Sequence, residues 1–94
     1  MTGASAELVV TDPHGLHLRP AAQLVKRAAS LAVEVRITNL SRDPDRQAPA
    51  RSLLAITGLG VDQGHRIRIE AEGEGASEAV AELRSLIEQG FGEA

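Results

Sequence analysis

The residues with chemical potential gather in one short string, Gly15-Leu16-His17-Leu18-Arg19-Pro20-Ala21-Ala22. A histidine stands where a turn gives way to a helix, and an arginine follows two positions later. The first amides of a helix have no intrahelical acceptor and carry a partial positive charge. Such a start therefore favours a bound anion, and favours an uncharged, nucleophilic imidazole over imidazolium. Arg19 adds a fixed charge whose donor fork fits phosphate oxygens, and Pro20 stiffens the first turn without removing a needed amide. Together these features describe a covalent phosphoryl-acceptor site. The same residues also fit a plainer role, in which His17 closes the helix, Arg19 is solvated, and Leu16 and Leu18 pack.

Other candidates carry less. His14 and His17 are three apart, as metal ligands can be, but no third ligand cluster lies nearby and Pro13 and Gly15 read as an ordinary turn. No metal and no cofactor are expected. His65 stands beside the turn Asp62-Gln63-Gly64 with no partner visible in the sequence, and the Glu-rich C-terminal segment reads as a solvated helix face.

Composition narrows the classes further. Phe91 is the only aromatic residue among 94, which leaves almost nothing on which to stack nucleic-acid bases. No cysteine is present, excluding disulfides, thiolate metal sites and cysteine nucleophiles. The net charge of −3 hides a division. Residues 13–68 hold nine basic side chains against four acidic ones, whereas 69–94 hold seven Glu and one Arg. A basic surplus of that size suits an acidic protein partner or a phosphate. No apolar run approaches the roughly 20 residues of a membrane span, and the first residues lack the pattern of a signal peptide, so a soluble cytoplasmic chain is expected.

Periodicity supplies the elements that must position the histidine. Ala6 to Thr11 reads as a strand, followed by turn residues at Asp12-Pro13-His14-Gly15. Ala21, Leu24, Val25, Ala28 and Leu31 recur at helical spacing over about Leu18 to Ser30. Val33 to Thr38 alternates Val33, Val35 and Ile37 with Glu34, Arg36 and Thr38, a strand with one wet face. A polar loop over 39–46 leads to a short edge strand at Gln47 to Ala50, and Ser52 then caps a brief helix to Thr57 that Gly58 and Gly60 end. Arg66 to Ala71 is a fourth strand, and Ser77 to Gln89 a last helix with Gly90 as its C′ residue. The order βαββαβα implies an α+β fold, an open-faced two-layer sandwich whose four-stranded antiparallel sheet carries all three helices on one face.

The string GLHLRPAAQLVK closely resembles the phosphorylation motif of the HPr family, the histidine-containing phosphocarriers of the bacterial sugar phosphotransferase system. Arg51-Ser52-Leu53-Leu54 resembles that family's regulatory-serine segment. Gly58-Leu59-Gly60-Val61 with Gln63-Gly64 resembles its turn into the fourth strand, and Glu72-Gly73 the approach to its last helix. The resemblance covers about residues 5–90 and implies one phosphocarrier domain over 1–94.

By that resemblance His17 is the active histidine, taking phosphoryl on Nδ1 from enzyme I and passing it to EIIA components of sugar permeases. Arg19, with Leu18 beside it, is where the phosphoryl group is stabilised. Ser52 matches the serine that a dedicated kinase phosphorylates in some bacteria, recruiting a transcriptional regulator. Leu53, Leu54, Ile56 and Thr57 match the docking helix, and Lys26 and Arg27 are expected to face acidic rims of transient partners. The resemblance implies a monomeric carrier rather than an enzyme with a substrate of its own. It leaves open the nitrogen-linked and dihydroxyacetone kinase branches, and a rival class, a regulatory module acting through the Ser52 helix alone.

Three departures stand out. Leu18 replaces the smaller residue usual in the family, and Arg51-Ser52 meets only the core of the kinase-recognised segment. The loop over 39–46 is about four residues longer than usual, where extra length costs little.

Overall fold

A computed structural model describes residues 3–92. Four strands, β1 (Gly3–Val9), β2 (Val35–Asn39), β3 (Gln47–Pro49) and β4 (Arg66–Glu72), form one sheet in the order β1-β4-β2-β3, antiparallel throughout. Helices α1 (Leu18–Ala29), α2 (Leu53–Gly58) and α3 (Ala76–Glu88) supply the second layer of the α+β sandwich. Alternation explains the layering. Leu8, Val35, Ile37, Ile67, Ile69 and Ala71 point to the helices and are buried with Leu24, Ile56, Leu83 and Ile87. The other sheet face carries a ladder of polar side chains, with Arg68 3.4 Å from Glu7, Gln47 2.9 Å from Glu70, and Arg36 3.8 Å from Glu72.

Boundaries depart from the periodicity where register decides. β1 starts at Gly3, because β4 extends to Glu72 and offers Gly3, Ala4 and Ser5 a partner strand that their own types do not announce. It stops at Val9, where Val10 turns to bond the strand's lead-in instead: its N–H donates to His65 O and its carbonyl accepts from Gly64 N–H. β2 likewise runs to Asn39 and leaves Val33 half-buried outside it. Thr38, expected on the wet face, is buried: it lies in register between Gln47 and Arg68, whose long side chains shelter a small hydroxyl on a central strand. Among the described residues its Oγ1 has no hydrogen-bond partner.

After α3, Gly90 adopts φ +68 as the expected C′ residue, and a single 3-10 turn, Gly90–Gly92, follows that periodicity did not indicate. That turn swings Phe91 back into the core beside α1.

The segment that carries His17 is fixed at one point. Gly15 has φ +57, and the Leu16 N–H donates to Val61 O at 2.9 Å. A β-carbon on Gly15 would run into that same Val61 carbonyl oxygen. Gly15→Ala is expected to lower stability by about 2–3 kcal/mol, combining the left-handed penalty with the loss of one hydrogen bond. In thermal unfolding that corresponds to a fall of roughly 10–20 °C for a domain this small. An unchanged melting temperature would mean that the turn is not docked as described.

Candidate functional site

His17 is the N-cap of α1, with extended backbone (φ −80, ψ −168), and its carbonyl accepts the first helical bond from Ala21 N–H at 2.8 Å. Its side chain makes no capping bond. A capping Ser or Asp would have turned back onto the first-turn amides. The imidazole instead reaches across to the loop before β4, where Nε2 lies 2.6 Å from Asp62 Oδ1. A carboxylate only accepts, so in the neutral ring this contact puts the proton on Nε2 and the lone pair on Nδ1. Both side chains are more than half exposed, 55% for His17 and 61% for Asp62, so another protein can reach the ring.

Sequence reading missed Asp62, which is 45 residues from His17 along the chain. The fold brings them together by the Leu16–Val61 bond, one residue from each. His65, which the sequence left without a partner, completes the arrangement. Its Nδ1 accepts from Asp62 N–H at 3.1 Å and lies 3.1 Å from Asn39 Nδ2, while its own N–H donates to Asp62 O at 3.0 Å. Asn39 is buried and donates to Leu59 O at 3.2 Å, tying this turn to the end of β2.

Around His17 lies a cavity of about 270 Å³, lined by His14, Leu18, Arg19, Pro20 and Phe91 among others. That is near the lower limit for small-molecule pockets and gives room for an anion beside the ring. His14 itself is exposed in a local turn, its N–H donating to Asp12 Oδ1 at 2.7 Å. A larger groove of about 970 Å³ runs between α1 and α3, but it contains no histidine and the Arg27–Glu82 ion pair at 3.1 Å lies along it. Chemistry, rather than size, marks the smaller cavity as the candidate site.

Other residues singled out in the sequence are distributed unevenly. Leu18 and Arg19 stand beside His17 on the exposed start of α1. Lys26 and Arg27 occupy the last turn of the same helix, about 14 Å along its axis from His17, and Arg27 is engaged by Glu82. Ser52 caps α2, its Oγ accepting from Ala55 N–H at 3.1 Å. Leu54 is 85% exposed, Leu53 37% and Leu18 70%, whereas Ile56 is fully buried. Ile56 is thus a core residue: on a helix of six residues only one stripe can face the sheet, and it takes that position. Thr57 turns its hydroxyl inward along α2, to Leu53 O at 3.0 Å and Leu54 O at 3.1 Å.

Comparison with known proteins places these features in context. Residues 4–89 match the family model described as the PTS HPr component phosphorylation site. The chain is 42% identical over 81 residues to the phosphocarrier protein HPr of Buchnera aphidicola, covering 86% of this chain and 89% of that one. It is also 42% identical over 89 residues to the multiphosphoryl transfer protein of Salmonella typhimurium, covering 95% of this chain and 23% of that protein. The chain therefore spans less than a quarter of that longer relative. Among solved structures, an HPr from Thermoanaerobacter tengcongensis superposes with a TM-score of 0.86 at 32% identity, covering 97% of this chain and 98% of the other.

The cap geometry yields one test. Ser52→Ala leaves the Ala55 amide without its acceptor and is expected to cost about 1 kcal/mol in denaturant unfolding. No loss would mean that the hydroxyl does not hold α2.

Proposed function

The chain belongs to the HPr family of phosphocarrier components of the phosphotransferase system, and on that premise we propose that His17 is its phosphorylated residue. It takes a phosphoryl group on Nδ1 from enzyme I and hands it to EIIA components of sugar permeases, in the cytoplasm. The observation that carries this reading is the orientation of His17: Nε2 is committed to Asp62 at 2.6 Å, leaving Nδ1 as the nucleophile at a helix start with Arg19 two residues on.

The step balances without another reactant. The Nδ1 lone pair forms the N–P bond as the bond between phosphorus and the donor breaks, and the donor keeps that electron pair. The ring retains its Nε2 proton and gains positive charge, next to the phosphoryl oxygens and the Asp62 carboxylate. Arg19 and the positive end of α1 are suited to receive those oxygens. Onward transfer is the same step reversed towards an acceptor. A relay of this kind requires moderate binding of the phosphoryl group, since tight stabilisation would oppose its donation.

Partners dock over the exposed leucines Leu18, Leu53 and Leu54, with Thr57 alongside. Phosphorylation of Ser52 by a kinase would place a dianion at the edge of this patch, weakening docking and opening recognition by a regulator. The name of the Salmonella relative, a multiphosphoryl transfer protein, supports a role as one link among several phosphoryl-bearing sites.

Incubation with enzyme I and phosphoenolpyruvate, read by intact mass, tests the assignment. The native chain is expected to carry one acid-labile phosphoryl group, and His17→Ala none. Label persisting in that variant on His14 or His65 would move the site. Arg19→Ala is expected to slow transfer more than about ten-fold while the protein stays folded, with Arg19→Lys recovering only part because a point charge replaces a fork. Unchanged rates would show that the helix amides suffice.

Ser52→Asp separates capping from docking. Asp caps as well as Ser and complements the helix dipole, so stability should hold or rise by up to about 1 kcal/mol. Transfer from enzyme I should fall roughly 5- to 150-fold, since a charge beside Leu53 and Leu54 must be desolvated against the partner at about 1–3 kcal/mol. Kinetics and thermal unfolding on one sample check both, and normal kinetics would remove α2 from the docking surface.

A further inference from the structure

We propose that Asp62 is a positioning residue for phosphoryl transfer: its carboxylate holds the proton on His17 Nε2, directing reaction to Nδ1 and keeping the phosphorylated ring a good leaving group. The proposal rests on His17 being the acceptor and specifies what controls it.

Three observations carry it. First, the Nε2–Oδ1 separation of 2.6 Å is at the short end for an N–H···O contact, the side on which charge-assisted bonds to a carboxylate fall. The other neutral tautomer would set the Nε2 lone pair against carboxylate lone pairs at that distance, so the contact selects one tautomer. Second, Asp62 sits on a braced turn. Its N–H and carbonyl are both held by His65, and the buried Asn39 amide lies against the same His65 Nδ1. Third, the neighbouring Val61 carbonyl receives the Leu16 N–H, so the turn bearing the carboxylate and the turn bearing the imidazole are joined one residue from each group. Such support is what keeps an orienting carboxylate in place before the reaction begins.

The chemistry follows from where the proton stays. When Nδ1 forms its bond to phosphorus, the donor's bond breaks with its electron pair, and the ring becomes cationic with Nε2–H still pointing at Asp62. The carboxylate offsets that developing charge. When phosphoryl moves on, the N–P electron pair returns to Nδ1. With Nε2 still protonated the departing group is neutral imidazole, whereas loss of that proton would require imidazolate to leave.

The test combines a spectroscopic and a kinetic reading on the full chain. In the native protein, ¹H–¹⁵N spectra of the ring should show His17 with a hydrogen-bonded, slowly exchanging Nε2–H and an unprotonated Nδ1. In Asp62→Ala the Nε2–H signal should broaden into exchange with water, and acceptance from phosphorylated enzyme I should slow about five-fold or more. Asp62→Asn, whose side-chain carbonyl can still accept, should restore the signal in part but less of the rate. Asp62 is largely exposed, so the variants should keep the native backbone amide spectrum. A native-like Nε2–H signal and native rate in Asp62→Ala, with a normal adduct on the native chain, would overturn this inference alone. Failure of the native chain to accept phosphoryl on His17 would overturn the parent reading and this one with it.

Discussion

A single backbone hydrogen bond, from Leu16 N–H to Val61 O at 2.9 Å, joins the two loops that bear His17 and Asp62. It forms because Gly15 takes a left-handed conformation without a side chain, letting the turn press directly against the Val61 carbonyl. Leu16 is thereby driven into the core, and His17, one residue on, is left at the surface as the first cap of α1. On the other side of the bond, Val61 is buried while Asp62 projects outward. The apolar residue of each pair supplies the anchor and the polar one is presented, so the imidazole and the carboxylate meet across two segments far apart in sequence.

The rest of the fold supports that junction. The β1–β4 ladder sets where both loops emerge, since Val10 and Gly64 pair where the sheet ends. Packing of α3 over β1 and β4, and of Phe91 beside α1, fills the layer beneath the site. Helix α2 is too short to bury both of its leading leucines, so Ile56 goes inward and Leu54 outward. A carrier suits such a construction. In the proposed role the His17 ring must be rigid enough to be aimed and exposed enough for partners to reach, and an N-cap position on a helix held by its neighbours gives both.

The strands and helices were legible because their alternation and 3.6-residue spacing follow directly from which face meets the core. Where the reading slipped, the cause was tertiary. Gly3 to Ser5 carry no strand signal and become a strand only because β4 is long enough to pair with them. Thr38 reads as solvent-facing by alternation, yet a central strand flanked by Gln47 and Arg68 encloses it. His17 and Arg19 stood out since their chemistry is local to one helix start. Asp62 and the role of His65 did not, because nothing in the spacing of residues 17 and 62 encodes a contact made by sheet topology. Lys26 and Arg27, close in sequence to the site, lie at the far end of α1.

Attachment of phosphoryl to His17 Nδ1, as proposed, is read most directly by a ³¹P–¹⁵N correlation spectrum of the ¹⁵N-labelled chain after phosphorylation by enzyme I and phosphoenolpyruvate. Phosphorus is expected to couple to Nδ1 of His17, with the ring's Nε2 still protonated. Phosphorus coupled to Nε2 of His17, or to a nitrogen of His14 or His65, would contradict it.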